Sequence, residues 1–171
     1  MGKFSQKIEL TANILIIVVA VIFGVVLVQK YFFASASTNN QPDRIQPTIG
    51  TKVNLADEDW SKQPKTLIMA LQTTCHFCNE SAPFYKRLIQ EMKGKNVKLV
   101  AVFPTKIEES AAHLNELGLT GMEVKQSSLG NLQTSGTPTL ILTNDKGEVT
   151  NFWVGKLPTD KEDEVLKQLN S

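Results

Sequence analysis

The sequence predicts an α/β fold, a mixed sheet flanked by helices, preceded by one N-terminal transmembrane helix. Three observations lead there. From residue 66 onward, short continuous apolar runs alternate with segments of helical spacing. A strand–turn–strand signal and a last helical pattern close that alternation, as in α/β chains with a mixed sheet. An uncharged apolar run precedes everything else. At 171 residues, the chain has room for one ordinary domain and an appendage.

The apolar run extends from Leu10 to Val28, contains no charge, and has Thr11 and Asn13 as its clearly polar members. At ~1.5 Å per residue it nearly spans the ~30 Å hydrocarbon core of a bilayer. Tyr31, Phe32 and Phe33 follow at once and suit an interfacial aromatic belt. Residues 10–30 therefore read as a membrane anchor after a short tail over 1–9. Lys3, Lys7 and the small residues Ala34-Ser35-Ala36 offer a rival, a cleavable signal peptide. Its apolar core usually runs only about 7–15 residues, so the uncleaved anchor is preferred. Lys3 and Lys7 nearly tie with Lys30 and Arg44 in the positive-inside count. A cytoplasmic amino terminus is the default, which puts the carboxy-terminal domain outside the cytoplasm, on the periplasmic side if the host has a periplasm.

Residues 31–44 read as a flexible tether, part of a stretch of Ala, Ser, Thr, Asn, Gln and Pro. Residues 45–171 remain as one domain, long enough for a well-buried core. The net charge of +1 divides into +2 on residues 1–30 and −1 on the rest. That balance speaks against a nucleic-acid partner bound through a broad basic face.

Within the domain, Thr66 to Leu71 reads as a buried central strand. After Cys75, Phe84, Leu88 and Met92 recur at helical spacing, and Gly94 offers a stop. Val97 to Phe103 is a second buried strand. Thr105 and Glu108 form a capping box for a helix on which Ile107, Ala111 and Leu114 share a face, ended by Gly118. Thr139 to Thr143 is a third strand, and Asn144-Asp145-Lys146-Gly147 turns it into a fourth, Glu148 to Val154. Thr159 and Glu162 cap a last helix carrying Val165, Leu166 and Leu169. The sheet is expected to be covered on both faces.

Chemistry concentrates in Cys75-His76-Phe77-Cys78. Cysteines at i and i+3 can close a disulfide at the first turn of a helix. Unpaired N–H groups and the macrodipole at a helix start favour a thiolate, so Cys75 is expected to be the nucleophile. Cys78, one turn in and more buried, would resolve the mixed disulfide. His76 can add positive charge beside Cys75, or stand as a solvated bystander. A merely structural bridge is the bland alternative, but closing so short a loop contributes only roughly 2 kcal/mol. A zinc site would need further ligands, and His113 falls beside the apolar stripe of its helix and reads as a surface residue. Haem attachment would need histidine where Asn79 stands. A peroxide-reducing cysteine after Thr73 and Thr74 is a further alternative with no other support. No metal or cofactor is called for.

Strand, Cys-x-x-Cys, then Pro83 five residues after the second cysteine resembles the thioredoxin superfamily. Gly136-Thr137-Pro138-Thr139, 60 residues after Cys78, is similar to the segment bearing that superfamily's cis-proline. Lys146-Gly147-Glu148-Val149 with Val154-Gly155 resembles its closing hairpin and glycine kink. The long gap between Cys78 and Pro138 accommodates an extra helix and strand at residues 105–126, as in membrane-tethered reductases of the TlpA/ResA type. Gly50 to Leu55 is similar to the amino-terminal hairpin of that group. There are departures. Thr74 stands where tryptophan often precedes the first cysteine, and Met69 stands where a buried carboxylate commonly lies. Ser81 occupies the place of a common glutamate, with Glu80 one position early.

The resemblance implies a membrane-anchored thiol–disulfide oxidoreductase acting on disulfide-containing protein substrates. Thr137 would hold an extended partner segment by its backbone, and cis Pro138 would lie against Cys75. Reduction, with a membrane thiol electron donor, is the direction implied; His76 and a stabilised Cys75 thiolate point weakly to an oxidant instead. Glu80 is a candidate proton acceptor for Cys78, or else a solvated carboxylate at a helix start. A non-catalytic anchored binding module with a static disulfide is the rival from another class.

Overall fold

The computed structural model describes residues 45–171 together with Val21 and Phe23, both helical and exposed. The rest of the expected anchor over 10–30, the tail over 1–9 and the tether over 31–44 lie outside the described residues. Among the described residues, no helix is long and apolar enough to cross a membrane.

Five strands carry the domain: β1 (Lys65–Ala70), β2 (Val97–Phe103), β3 (Glu123–Gln126), β4 (Thr139–Asn144) and β5 (Val149–Val154). Their order is β3-β2-β1-β4-β5. β1 pairs parallel with β2, and β2 with β3, whereas β4 runs antiparallel to both β1 and β5. β1 and β2 are central and buried on both faces. That is why each reads as a continuous apolar run with no polar alternation.

The domain has four α-helices: α1 (His76–Glu80), α2 (Ala82–Met92), α3 (Ile107–Glu116) and α4 (Thr159–Asn170). Phe84, Leu88 and Met92 of α2 turn inward together and are all buried. With Leu114 of α3 and Val165, Leu166 and Leu169 of α4, they cover Leu67, Met69, Leu99, Ala101, Leu140 and Leu142. Full burial of each such side chain contributes roughly 1.5–3 kcal/mol. The opposite face bears Ile68, Ala70, Val100, Val102 and Ile141. Val53, Leu55, Trp60 and Leu132 cover it instead of a long helix. Both faces are thus covered, but α2, α3 and α4 all pack on one.

Several local expectations need correction. Lys106 is the N-cap of α3 and makes no side-chain cap bond, while Thr105 Oγ1 pairs with Ser110 Oγ at 2.9 Å. The Thr105–Glu108 capping box does not form, because the hydroxyl is drawn to a buried serine. Ile107 is 47% exposed, so the buried stripe of α3 is Ser110 and Leu114. Thr159 is the first residue of α4, not its cap; the N-cap is Pro158, whose carbonyl accepts from Glu162 N. Residues 50–55 do not make a hairpin of their own. Gly50 N and Val53 N donate to the carbonyls of Val149 and Gly147, and Val149 N donates to Thr51 O, stitching the segment onto the start of β5.

Two further contacts fasten this amino-terminal segment. Trp60 lies under Gly147, where a Cβ would come within 2.6 Å of the indole. The Glu58 carboxylate, its side chain fully buried, meets Lys98 Nζ at 2.6 Å, and its Oε2 forms an ion pair with Lys125 Nζ at 2.8 Å. Oε2 lacks a well-aimed hydrogen bond, so the second contact is mainly electrostatic. Glu123 reaches the same two ammonium groups at 2.8 and 3.4 Å. Burial works against the Lys98 charge, but bonds to Glu123 and Glu58 outweigh it and hold its pKa above the ordinary value.

Candidate active site

The site forms where β1 ends and β4 begins. Antiparallel pairing sets Ala70 against Thr139, so the segment leading into Cys75 runs beside the segment leading into β4. Gln72 joins them: its carbonyl accepts from Cys75 N at 3.1 Å, and its Oε1 accepts from Thr137 Oγ1 at 3.0 Å. The Thr137–Pro138 peptide bond is cis, and Pro138 is buried. Gly155 N donates to Pro138 O at 2.7 Å, tying this loop to the end of β5.

Cys75 and Cys78 form a disulfide, with Cα atoms 5.2 Å apart. Cys75 is the N-cap of α1, and its sulfur accepts from Cys78 N at 3.1 Å. Cys75 is partly exposed, whereas Cys78 is 3% exposed among Met69, Tyr85 and Leu114. One sulfur therefore faces solvent at the start of a helix and the other faces the core. Ser81 separates α1 from α2, and Pro83 stands in the first turn of α2. A proline lacks the N–H that would continue the ladder from α1, which accounts for the break.

Around the pair, His76 and Phe77 are exposed, Phe77 by 55%. His76 Nε2 lies 3.1 Å from Glu80 Oε1, and Lys156 Nζ lies 3.0 Å from Glu80 Oε2. The bond from Lys156 holds the Glu80 carboxyl below the usual range, with His76 adding to the effect. Glu80 is thus a solvated carboxylate engaged by the Lys156 ammonium and the His76 ring. Met69, on β1 ahead of the cysteine segment, is fully buried.

One neighbour escaped the sequence reading. His113 on α3 is half-buried, and its Nε2 lies 3.1 Å from Asn79 Oδ1. His113 also lines a cavity of about 10 Å³ shared with Gln72, Cys78, Tyr85 and Leu114. It is more than a bystander on the outer face of its helix. The available signal was its place in the chain directly before Leu114, the buried residue of that face. Among the described residues, no group of three or more His, Cys, Asp or Glu side chains is placed to hold a metal ion.

No protein-family model and no curated protein matches the chain. Solved structures do match it. StoA from Bacillus subtilis is similar with a TM-score of 0.52 at 19% identity, over 74% of this chain and 99% of that one. A thiol-disulfide isomerase from Corynebacterium glutamicum gives 0.55 at 18% identity, over 77% and 97%. The thioredoxin domain of a thiol-disulfide oxidoreductase from Bacteroides vulgatus gives 0.57 at 14% identity, over 74% and 100%.

Proposed function

From a thioredoxin-like fold with a cysteine pair at the start of a helix, we propose that this chain is a thiol–disulfide oxidoreductase. It exchanges dithiol for disulfide with partner proteins outside the cytoplasm, held to the membrane by residues 10–30. The observation that carries this reading is the asymmetry of the pair: Cys75 caps α1 and is accessible, and Cys78 is 3% exposed. An accessible sulfur at a helix start is the better nucleophile, because N–H groups and the helix dipole stabilise its thiolate. A buried neighbour within bonding distance is suited to resolve the mixed disulfide before the partner diffuses away.

Thr137 and Pro138 supply the second half of the site. Their loop is fixed to Gln72 through the Thr137 hydroxyl. Its backbone edge beside the cysteine segment suits an extended partner strand, which would be read by main-chain hydrogen bonds. Exposed Phe77 adds an apolar contact for residues flanking the partner's disulfide.

The direction proposed is reduction of partner disulfides, with electrons from a membrane thiol donor. The Glu80 carboxylate, one turn from His76 on the cysteine helix, supports it by opposing build-up of negative charge on the sulfur and by pairing with His76. A less stabilised thiolate makes a weaker oxidant. The test is equilibration of the full chain in glutathione buffers of graded potential, following alkylation of Cys75 by mass shift. Reversible two-electron cycling with the fold retained is expected, at a potential below that of the glutathione pool. A bridge that stays oxidised at every potential while the protein remains folded would overturn the exchange reading. A potential well above the pool would overturn the direction only.

A further inference from the structure

If Cys75 and Cys78 exchange disulfides as proposed above, Cys78 must lose a proton before it can attack, because the thiolate is the nucleophile. At 3% exposure it cannot simply pass that proton to bulk water. Burial itself disfavours the charged form. A proton acceptor must therefore reach it from inside.

The possible acceptors around Cys78 are few. Met69 has no titratable group. Glu80 is turned to the surface between His76 and Lys156. Tyr85 shares the cavity, but burial pushes its phenol well above the ordinary value, so it holds its proton throughout the neutral range. His113 remains.

We propose that His113 is the acid–base partner of Cys78, taking its proton as the mixed disulfide is resolved and returning it when the pair is reduced. His113 lines the water-sized cavity that Cys78 also lines. His113 Nε2 lies 3.1 Å from Asn79 Oδ1; an amide oxygen only accepts, so the neutral ring that donates there carries its free lone pair on Nδ1. Asn79 directly follows Cys78, so this bond ties α3 to the cysteine turn. Leu114, 2% exposed, anchors α3 beside it. Charged and titratable groups nearby are Glu109 and Glu116 on its own helix, His76 and Glu80 on α1, and Lys86 of α2, which reaches Gly118 at the helix end. None of these charged groups lines the cavity.

The step balances without an added reagent. The Cys78 S–H proton passes to the imidazole, and the Cys78 sulfur forms a bond to the Cys75 sulfur. The bond between Cys75 and the partner sulfur breaks, and the electron pair leaves on the partner sulfur, which takes up a proton. The cysteine pair is oxidised by two electrons, and the partner's disulfide is reduced by two.

The test uses the reduced full chain and the chromogenic disulfide dithionitrobenzoate. The first release of thionitrobenzoate reports attack by Cys75, and the second reports resolution by Cys78. In His113→Ala the second phase is expected to slow on the order of tenfold to a hundredfold at neutral pH. The first phase should stay within about twofold, and added imidazole should restore part of the second. His113→Gln, which can still donate to Asn79 but cannot accept the proton, should be as slow as the alanine variant. A second phase that matches the parent in His113→Gln would overturn the role. Failure of the parent to react at all would overturn the exchange reading itself, a separate result.

Discussion

Lys156 Nζ, just beyond β5, stands 3.0 Å from Glu80 Oε2 on α1, joining residues 76 positions apart in the chain. The same carboxylate meets His76, so the charge next to the cysteine pair is set by three side chains rather than by His76 alone. Removing Glu80 and removing Lys156 should therefore act in opposite directions. Glu80→Gln takes away a negative charge and leaves the Lys156 ammonium uncompensated, which stabilises the Cys75 thiolate and raises the reduction potential. Lys156→Ala leaves the carboxylate less compensated and lowers it. Glutathione equilibration of both variants measures the two signs. Shifts of the same sign would contradict this arrangement. Thermal stability should hardly change in either, since exposed ion pairs contribute little.

Gly147 should not tolerate a side chain. Its φ is +78°, and a Cβ would come within 2.6 Å of the Trp60 ring. Gly147→Ala combines left-handed backbone strain with a clash against a buried aromatic, and should cost about 2–4 kcal/mol. Urea unfolding followed by Trp fluorescence reads this directly. The reduction potential should stay where it is, because the Gly147 contacts lie on the sheet face opposite to the cysteine pair.

Glu58 is expected to matter more than a surface acid. Its fully buried side chain serves Lys98 and Lys125 together. Glu58→Ala leaves two mostly buried ammonium groups with Glu123 alone, and should destabilise the domain by about 2–3 kcal/mol. The urea midpoint is the readout, and a loss below about 0.5 kcal/mol would show the clip to be incidental.

Glu123 gives this cluster a pH signature. Its bond to Lys98 holds the carboxyl below the ordinary value of 4.5. A depressed carboxyl contributes its full stabilisation above the unfolded-state value, and loses it as pH falls through the lower folded-state value. Stability of the parent chain should thus decline on acidification below about pH 4.5 partly through this group. Glu123→Gln should show a shallower acid limb and little change in slope above pH 6. Chemical denaturation across that range supplies the comparison.

The fold was largely readable because its central strands are buried on both faces and its α2 stripe repeats every turn. Val97–Phe103 stands in the structure with the bounds its apolar run gives it. Phe84, Leu88 and Met92 are buried together as their spacing implies. The cysteine pair was legible as a motif, since the chemistry ties residue type to local spacing, whereas Pro138 stood out only through the family resemblance. What escaped was set by contacts between elements. His113 meets Asn79 across 34 residues, and Lys98 meets Glu58 across 40, with no periodicity to announce either. The two capping boxes failed for a related reason. Thr105 found a buried serine partner, and Pro158 took the capping position ahead of Thr159. Local rules give way where a tertiary partner offers a better bond.

The central claim is that Cys75 attacks and Cys78 resolves. Trapping tests it most directly: the full chain with Cys78→Ala or with Cys75→Ala is expressed in cells, alkylated in acid, and resolved without reductant. Cys78→Ala should accumulate mixed disulfides with extracytoplasmic proteins through Cys75, and Cys75→Ala should accumulate few. Equal trapping by both variants, or trapping by Cys75→Ala alone, would contradict the account.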